Sequence, residues 1–261
     1  MGKFPIGSPL AGQTQYGGPF GAIRPHSEYE QRYVYEPFRS RVVVQAPAGG
    51  AATGVTGDTN ILRTRYNIFE YHIKGAGQTI VAPTLGANGY DFALDLTNDE
   101  GVEVTTGILA RTVSAFTVGT DRAVFARCVF TIADVSGTDD CAFGWRKAEA
   151  YQANIDDYDE MACLNAISGA INIETILNNA ATVTTDTTDT WADTISHSLQ
   201  VNVSASGVVT YLIDGVAPTT VAAYTFDAAE VIVPFLFHLH AVDLDDTFVL
   251  REWEVGLQDL Q

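Results

Sequence analysis

The sequence lacks the long apolar runs that would cross a membrane. Hydrophobic residues make up 46% of the 261-residue chain, but no run approaches the roughly 18 consecutive apolar residues of a spanning helix. The N-terminus also lacks an apolar stretch of about 7 to 15 residues preceded by positive charge, which is the pattern of a secretory signal peptide. We therefore expect a protein that is made in the cytoplasm and is not inserted into a membrane.

Cations are scarce and unevenly placed. The chain has 14 Lys and Arg against 32 Asp and Glu, a formal net charge of −18. Residues 1–74 carry a net charge of +3 and the remainder carries −21. A body this acidic repels nucleic acid, so no nucleic-acid partner is predicted. A mildly basic segment before an acidic body is typical of an arm that docks on an acidic partner, although it is equally consistent with compositional scatter.

Cysteine is also rare. The three residues Cys128, Cys141 and Cys163 are an odd number and lack C-x-x-C metal-ligand spacing. The first two alternate in register with apolar neighbours, so they are predicted to be buried thiols. A turn near residues 136–137 would place Cys141 opposite Ile132, which is the wrong register for a disulfide with Cys128.

Common catalytic motifs are missing. The sequence contains no G-x-S-x-G, phosphate loop, dinucleotide fingerprint or H-E-x-x-H, so no cofactor and no enzymatic activity are predicted. Glu252 and Glu254 share one strand face, and retaining glycosidases place two carboxyl groups about 5 to 5.5 Å apart. A solvent-facing pair on an exposed terminal strand is the interpretation that the sequence favours.

Other candidate ligand residues each have a structural explanation. Acidic clusters at 156–160 and 243–246 offer oxygen ligands for Ca²⁺, but loops this acidic are typical of solvated surface. His238 and His240 could present two imidazoles on one face, with no third histidine nearby in sequence. No metal site is predicted. Asp134, Asp139 and Asp140 bracket a Ser-Gly turn, where aspartate caps its own backbone.

The first 57 residues differ in composition from the rest. Residues 1–27 are rich in Gly and Pro with apolar residues at intervals, 27–44 combine Tyr with alternating charges, and 46–57 have the composition of a linker. We predict an extended N-terminal arm and linker (1–57) before the main domain (58–261), with residues 1–45 contacting a neighbouring chain. An edge strand is the alternative for 27–44. Tyr, Phe and Arg are common at interfaces, and the predicted contact residues are Phe4, Tyr16, Phe20, Arg24, Tyr29, Arg32, Tyr33, Tyr35, Phe38 and Arg39.

Strand signals recur at short intervals after the linker, and no amphipathic helical pattern competes with them. They predict an all-β, two-sheet antiparallel sandwich of ten or more strands. The predicted strands lie at 66–74, 78–82, 90–96, 102–105, 123–133, 141–147, within 161–185, in the hairpin described next, at 231–241 and at 248–257.

The segment from Trp191 to Pro218 is the most informative part of the chain. It contains the run His197-Ser-Leu-Gln-Val-Asn-Val203, a Ser-Gly turn, and a strand that ends Ile213-Asp-Gly215. Two alternating runs around such a turn predict a β-hairpin. The pattern resembles the concanavalin A-like (laminin-G-like) β-sandwich, a jelly roll found in lectins, glycosidases and adhesive virion proteins.

A second resemblance is narrower. Residues 125–150 and the ending 253–258 are similar to a family of tailed-bacteriophage structural proteins with this sandwich. The resemblance implies a non-enzymatic, homo-oligomeric virion protein, a capsid decoration protein or head fibre, attached to the major capsid protein or other virion proteins. The alternative is a protein of the same fold that binds or cleaves host-surface glycan. A lectin should have an aromatic-floored groove with convergent polar groups, whereas a decoration protein should have large intersubunit contacts.

Overall fold

The structure is a computed structural model. It describes residues 16–17, 23–24, 33–37, 43–45, 59–63, 67–74, 84–93, 101–106, 114–240 and 247–258. In this part of the chain the regular structure is almost entirely β, with two single-turn 3-10 segments at Val135–Gly137 and Ile155–Asp157. No helix among these residues is long and apolar enough to cross a membrane.

One sheet of the described chain has ten antiparallel strands. They are β4 (Val43–Gln45), β5 (Thr59–Arg63), β6 (Ile68–Lys74), β9 (Gly101–Thr105), β10 (Phe116–Thr117), β12 (Thr138–Lys147), β13 (Met161–Ile167), β14 (Ala170–Ile176), β15 (Val183–Thr190) and β18 (Val231–His240). Their order in the sheet is β15-β14-β13-β12-β18-β9-β6-β5-β4, with β10 also paired to β18.

The second sheet of the described chain has seven antiparallel strands: β3 (Val34–Glu36), β7 (Thr84–Gly86), β8 (Gly89–Ala93), β11 (Val124–Ile132), β16 (Ser196–Val203), β17 (Val209–Ile213) and β19 (Thr247–Leu257). Their order is β17-β16-β11-β19-β8-β7, with β3 also paired to β19. Two further strands, β1 (Tyr16–Gly17) and β2 (Ile23–Arg24), pair with each other. The predicted all-β, two-sheet antiparallel sandwich is confirmed.

The main apolar core fills the space between the two sheets. Trp253 of β19 lies in it, with the rings of Phe69 and Phe143 from the opposite sheet in edge-on contact at centroid distances of 5.7 and 5.4 Å. The indole N–H of Trp145 on β12 donates to the carbonyl oxygen of Val201, 2.9 Å away on β16. Ring pairs of this kind add about 0.5–1.5 kcal/mol beyond the burial of their area, so specific contacts as well as hydrophobic burial hold the sheets together.

The predicted hairpin is present. Strands β16 and β17 pair antiparallel from Leu199↔Ile213 to Val203↔Val209. The turn uses Gly207 at a φ of +90°, where a Cβ would lie 2.4 Å from the carbonyl oxygen of Phe226, so this position requires glycine.

One predicted hairpin is wrong. Strand β12 does not fold back on β11 about residues 136–137, because β11 belongs to the seven-stranded sheet and β12 to the ten-stranded sheet. The 3-10 turn at Val135–Gly137 carries the chain from one sheet to the other. Cys141 therefore lies opposite His238 of β18 and not opposite Ile132.

The alternation along the last strand also differs from expectation. The sequence places Phe248 and Leu250 on the same face as Glu252, with Trp253 on the other. In the structure Phe248, Leu250 and Trp253 are all in the core. A register shift, in which Val129 pairs with Glu252 and the next residue of β11 pairs with Leu250, adds one residue to β19, and such a bulge inverts the alternation.

Part of the predicted arm lies within the sandwich. Strand β3 pairs with β19, and β4 pairs with β5, although both precede the predicted boundary at residue 57. The pairing of β3 with β19 agrees with the alternative prediction for residues 27–44, an edge strand. The division into 1–57 and 58–261 remains a prediction, as does the strand at 78–82, which is outside the described residues.

A second apolar cluster covers the outer face of the ten-stranded sheet. Ile155, in the 3-10 segment, and Tyr158, directly after it, pack on outward-facing side chains of β18, β12, β13 and β14. The ring centroids of Tyr158 and Phe235 are 6.1 Å apart. The segment of residues 147–160 is therefore packed on this face, next to the polar groups described below.

We expect all three thiols to react slowly with a thiol reagent in the native protein. Cys128, Cys141 and Cys163 are free and fully buried, and burial raises the pKa of Cys128 and Cys163, so little reactive thiolate is present. The measurement is the rate of labelling by dithionitrobenzoate at pH 8, with and without denaturant. A Ser206→Cys variant, in an exposed turn, is the control that should react at once. Fast labelling of the unmodified native chain would contradict this assignment.

Candidate functional site

Three polar side chains lie side by side on the outer face of the ten-stranded sheet. Asp140 is on β12, Asn165 on β13 and Glu174 on β14, and β13 is hydrogen-bonded to both neighbours. Side chains alternate along a strand, and the adjacent Cys141 and Leu164 point into the core between the sheets. We refer to these three polar residues as the carboxyl–amide cluster.

Asn165 holds the carboxyl–amide cluster together. Its amide Nδ2 donates to Oδ1 of Asp140 at 2.5 Å and to Oε2 of Glu174 at 2.7 Å. Its Oδ1 accepts from the backbone N–H of Cys141 at 2.8 Å, which fixes the end of the amide that faces the carboxyl groups. Thr184 of β15 donates to the other oxygen of Glu174 at 3.0 Å. Because one nitrogen reaches an oxygen of each carboxyl group, the two carboxyl groups are close neighbours.

Burial raises the pKa of both carboxyl groups. The pKa of Asp140 rises to about 7 because burial and the neighbouring carboxylates of Glu174, Asp139 and Asp156 outweigh the hydrogen bond from Asn165. The pKa of Glu174 is also raised, chiefly by burial. The cluster thus contains a carboxyl group that is partly protonated at neutral pH, and perturbed carboxyl groups of this kind are common at functional sites.

The carboxyl–amide cluster can take part in two kinds of chemistry. Carboxyl and amide groups at fixed positions can bind alcohol groups, which both donate and accept hydrogen bonds. A carboxyl group with a pKa near 7 can also donate a proton to a leaving oxygen. Cation binding is less suited to it, because Asn165 directs N–H groups between the carboxyl groups. Among the described residues, no group of three or more His, Cys, Asp and Glu could hold a metal ion.

A second polar group lies deeper on the same face. This buried ion network consists of Lys74, Glu103, Arg146 and Tyr158, all at most 2% exposed. Glu103 accepts from Nε of Arg146 at 2.7 Å and lies 3.1 Å from Nζ of Lys74, and the hydroxyl of Tyr158 donates to its second oxygen. Burial opposes ionisation of Glu103, but Arg146 and Lys74 outweigh it and hold its pKa below the usual range.

The buried ion network anchors the segment that covers the sheet. Lys74 donates to the carbonyl oxygen of Gln152, and the hydroxyl of Tyr151 donates to Glu70 at 3.0 Å. Further along the segment, Asp156 accepts from the hydroxyl of Thr182 at 2.5 Å. Because Lys74 and Arg146 also donate to backbone carbonyl oxygens of the segment, the network fixes the segment that brings Asp156 near the carboxyl–amide cluster.

The ten predicted partner-contact residues are only partly described. Tyr33 donates to Glu254 at 2.5 Å and Tyr35 lies opposite Glu254 in the β3–β19 pair, so both make contacts within the chain. The backbones of Tyr16 and Arg24 face each other in the β1–β2 pair. Partner binding by this set remains a prediction, and its other members lie outside the described residues: Phe4, Phe20, Tyr29, Arg32, Phe38 and Arg39.

Glu252 and Glu254 are not on an exposed terminal strand as expected. They lie on β19, which has β11 on one side and β8 and β3 on the other, and their side chains are 25% and 23% exposed. Nη1 of Arg127 is 2.9 Å from Glu252 and 3.7 Å from Glu254. This is the geometry of an ion-pair cluster on the outer face of the seven-stranded sheet.

The two acidic clusters predicted as sources of Ca²⁺ ligands are described only in part. In residues 156–160, the carboxylate of Asp159 accepts from Lys147 at 2.6 Å, whereas Asp156 is bonded to Thr182, so their side chains diverge. The cluster at 243–246 lies outside the described residues. His238 and His240 are buried in the sandwich and contact each other.

Sequence reasoning missed the carboxyl–amide cluster. It grouped Asp140 with Asp134 and Asp139 at a turn. Asp134 has the expected cap, accepting from the N–H of Ser136 at 2.9 Å, whereas Asp140 accepts from Asn165. The available signal was a polar residue at an outward position of an apolar strand, as at Asn165. That signal does not predict which residues Asn165 contacts, because the order of β12, β13 and β14 in the sheet cannot be inferred from the sequence pattern.

No protein-family model matches the sequence, and no curated protein is detectably similar to it. Solved structures similar to the fold include the carbohydrate-recognition domain of Emp46p in its potassium-bound form, with 7% identity over 73% of this chain and 89% of that one, at a TM-score of 0.48. A structure from work on endo-acting O-glycanases of the human gut microbiota that initiate mucin breakdown is 12% identical in sequence. The match covers 87% of this chain and 99% of that one, at a TM-score of 0.48. A structure from work on botulinum neurotoxin type C and its interaction with two ganglioside molecules is 13% identical in sequence. The match covers 79% of this chain and 47% of that one, at a TM-score of 0.46.

At these identities and TM-scores the likeness assigns neither a ligand nor an activity to this chain. The resemblance to tailed-phage structural proteins remains a prediction.

We expect the stability of the protein to fall as the pH rises through 7, because of Asp140. Its pKa is about 7 in the folded chain and about 3.9 when unfolded. The native state therefore binds this proton more tightly, and the stability that the group contributes is complete below about pH 4 and lost above pH 7. Asp140→Asn removes the ionisation and keeps the size, so the variant should gain about 5 °C over the wild type between pH 5 and pH 8.

The measurement is the thermal unfolding midpoint of both proteins by circular dichroism across this range. Asp157→Asn, at an exposed residue of the covering segment, is the control for a carboxyl-to-amide change outside the cluster. A constant offset for Asp140→Asn would show that the Asp140 carboxyl group is ionised throughout.

Proposed function

We propose that this chain is a carbohydrate-binding β-sandwich and that the carboxyl–amide cluster is the polar centre of its binding face. The observation that carries the proposal is the fully buried Asn165, which holds Asp140 and Glu174 at fixed positions through one amide nitrogen. Sites that bind small polar ligands place a few convergent polar groups on a rigid scaffold. Three neighbouring strands of one sheet supply such a scaffold.

Asp140 is the member of the cluster that is available to a ligand. Its side chain is half-buried, whereas Asn165 and Glu174 are buried and fixed by other groups. Its Oδ1 accepts from Asn165, and its Oδ2 accepts no hydrogen bond from the described residues. A sugar hydroxyl can donate to Oδ2 when the group is ionised, or accept from it when it is protonated.

The surrounding charge favours neutral glycans. Asp139, Asp156 and Glu174 raise the pKa of Asp140 through their negative charge, and the same field repels sulfate and carboxylate groups on a ligand. We therefore expect neutral oligosaccharides to bind better than sialylated, uronic-acid-containing or sulfated ones.

We expect Asp140→Asn to weaken glycan binding at least tenfold. In the variant, the amide oxygen can keep the hydrogen bond from Asn165, and an N–H₂ group that cannot accept then takes the place of Oδ2. Loss of a hydrogen bond to a charged group costs about 1.5–3 kcal/mol. The measurement is an array of neutral and acidic glycans followed by calorimetry on the best ligand. Glu252→Gln, a matched carboxyl-to-amide change on the opposite sheet, should bind like the wild type. Absence of binding to any neutral glycan, or equal weakening by both variants, would contradict the proposal.

Glycan cleavage is a second candidate for the same cluster. It is favoured by two neighbouring carboxyl groups, of which Asp140 has a pKa of about 7, since a retaining glycosidase needs one protonated and one ionised carboxyl group. The discriminating measurement is reducing-end release from the glycans that bind. Turnover that is lost in Asp140→Asn and retained in Glu252→Gln would establish the enzyme, and binding without turnover would leave the lectin-like function and agree with the sequence prediction of no activity.

We also propose that the sandwich is displayed on a virion through its N-terminal segment. The support is the resemblance to tailed-phage structural proteins together with the charge contrast between residues 1–74, at +3, and the rest of the chain, at −21. Attachment to a major capsid protein and assembly into a homo-oligomer are parts of this proposal.

We expect deletion of residues 1–31 to abolish attachment to particles and leave a folded sandwich. A deletion of 1–45 is unsuitable, because it removes β3 and β4, which are paired with β19 and β5. The measurement is co-sedimentation with particles that lack the protein, alongside the thermal unfolding midpoint of the truncated chain. Unchanged occupancy on the particles with an unchanged midpoint would show that the arm is not the attachment segment.

A further inference from the structure

The β17 edge of the seven-stranded sheet is built without charged residues. It consists of residues 208–213, which include β17, and of residues 221–226, which lie alongside that strand. The N–H of Val209 donates to the carbonyl oxygen of Tyr224 at 3.0 Å. Residues 221–226 thus extend the sheet beyond β17, the last strand in its order. We refer to these two stretches as the neutral edge.

The neutral edge exposes apolar side chains around a cleft. Val208 and Val221 are 47% and 50% exposed, and the cleft between residues 208–209 and 221–225 has a volume of about 380 Å³. Removal of such apolar surface from water is favourable. Exposed apolar side chains that lie together are typical of an interaction surface.

The backbone of the neutral edge also faces outward at Thr225. This residue forms an antiparallel bridge with Val208, and its neighbours Tyr224 and Phe226 make the hydrogen bonds to the strand. In an antiparallel pair of this kind the N–H and C=O groups of Thr225 point away from the partner strand. They are therefore directed at whatever approaches the edge.

The edge of the ten-stranded sheet is protected in a way that the neutral edge is not. Its last strand, β15, carries Asp186 and Asp189, and its pairing with β14 contains a register shift. Charged residues, prolines and bulges keep edge strands from associating with other chains. The neutral edge contains no Asp, Glu, Lys, Arg or Pro, so the sequence does not oppose association there.

The charge of the chain indicates which partner fits. With a net charge of −18, two copies repel each other over most of their surface, and a basic partner is drawn to the acidic faces instead. Repulsion between copies is smallest where neither surface is charged. Asp214 is the only Asp, Glu, Lys or Arg within residues 194–226, and its carboxylate lies 2.7 Å from Nδ1 of His197. A second copy is the partner that this charge distribution favours.

We propose that the neutral edge is the interface between two copies of this chain, related by a two-fold axis. Such a contact places the same surface on both sides, so Val221 of each copy can enter the cleft of the other. The carboxyl–amide cluster lies on the outer face of the other sheet and stays on a separate surface of the dimer. The inference rests on the homo-oligomer proposed above and names its contact surface.

The test is the mass of the full chain in solution, measured by light scattering at 10 and 100 µM in 50 and 500 mM NaCl. We expect twice the mass of one chain, and a dimer that becomes tighter in high salt because salt screens the repulsion between copies. Val221→Asp should raise the dissociation constant at least tenfold, since it buries a like charge from each copy in the contact. Val183→Asp, at a 57% exposed valine on β15, is the matched control and should dimerise like the wild type.

A monomeric wild type at 100 µM, or equal weakening by the two variants, would overturn the neutral edge as the interface. A dimer that weakens in high salt and is lost on deletion of residues 1–31 would also overturn it and place the contact at the N-terminal segment. If Val221→Asp does not fold, hydrogen exchange of the unmodified chain decides, because the amides of residues 208–213 and 221–226 should exchange more slowly as the concentration rises.

Glycan binding separates this inference from the proposed function. Val221→Asp leaves the carboxyl–amide cluster unchanged, so it should bind each glycan on the array with the wild-type affinity per chain. Absence of glycan binding by a dimeric wild type would count against the carbohydrate-binding proposal and not against the interface.

Discussion

Strand β12 is the element on which the other features depend, because its alternating side chains serve both faces of the ten-stranded sheet. Inward, Trp145 binds the carbonyl of Val201 and ties this sheet to the other one. Outward, Asp140 belongs to the carboxyl–amide cluster and Arg146 to the buried ion network. The N–H of Cys141 even sets the orientation of Asn165. A slip of one residue in the pairing of β12 would exchange these two faces and dismantle core, network and cluster together.

The fold was largely predictable from the sequence, whereas the candidate site was not. Alternation and turn residues are local signals, and they located the β16–β17 hairpin and most strands from residue 101 onward. The pairing between strands is not local. The residues Val135–Gly137 have the composition of a hairpin turn, but they connect the two sheets. The bulge in β19 inverts the alternation of inward and outward side chains, which the sequence pattern of this strand does not indicate. Asp140, Asn165 and Glu174 are 34 positions apart at most and became neighbours only through sheet order.

The two outer faces of the sandwich differ in a way that favours the ten-stranded sheet as the binding face. On the seven-stranded sheet, Arg127 lies between Glu252 and Glu254, so each of these two carboxylates has a cation beside it at a partly solvated surface, where such pairs contribute little. On the ten-stranded sheet, Asp140 and Glu174 are held together by a neutral amide, and the charged groups of the described chain that shift their pKa values are other carboxylates. Holding like charges together costs free energy, and protonation of Asp140 relieves that cost only in part at neutral pH. A ligand hydroxyl that donates to Asp140 would stabilise its ionised form, so binding of a neutral glycan should lower the pKa of this residue and release a proton near pH 7.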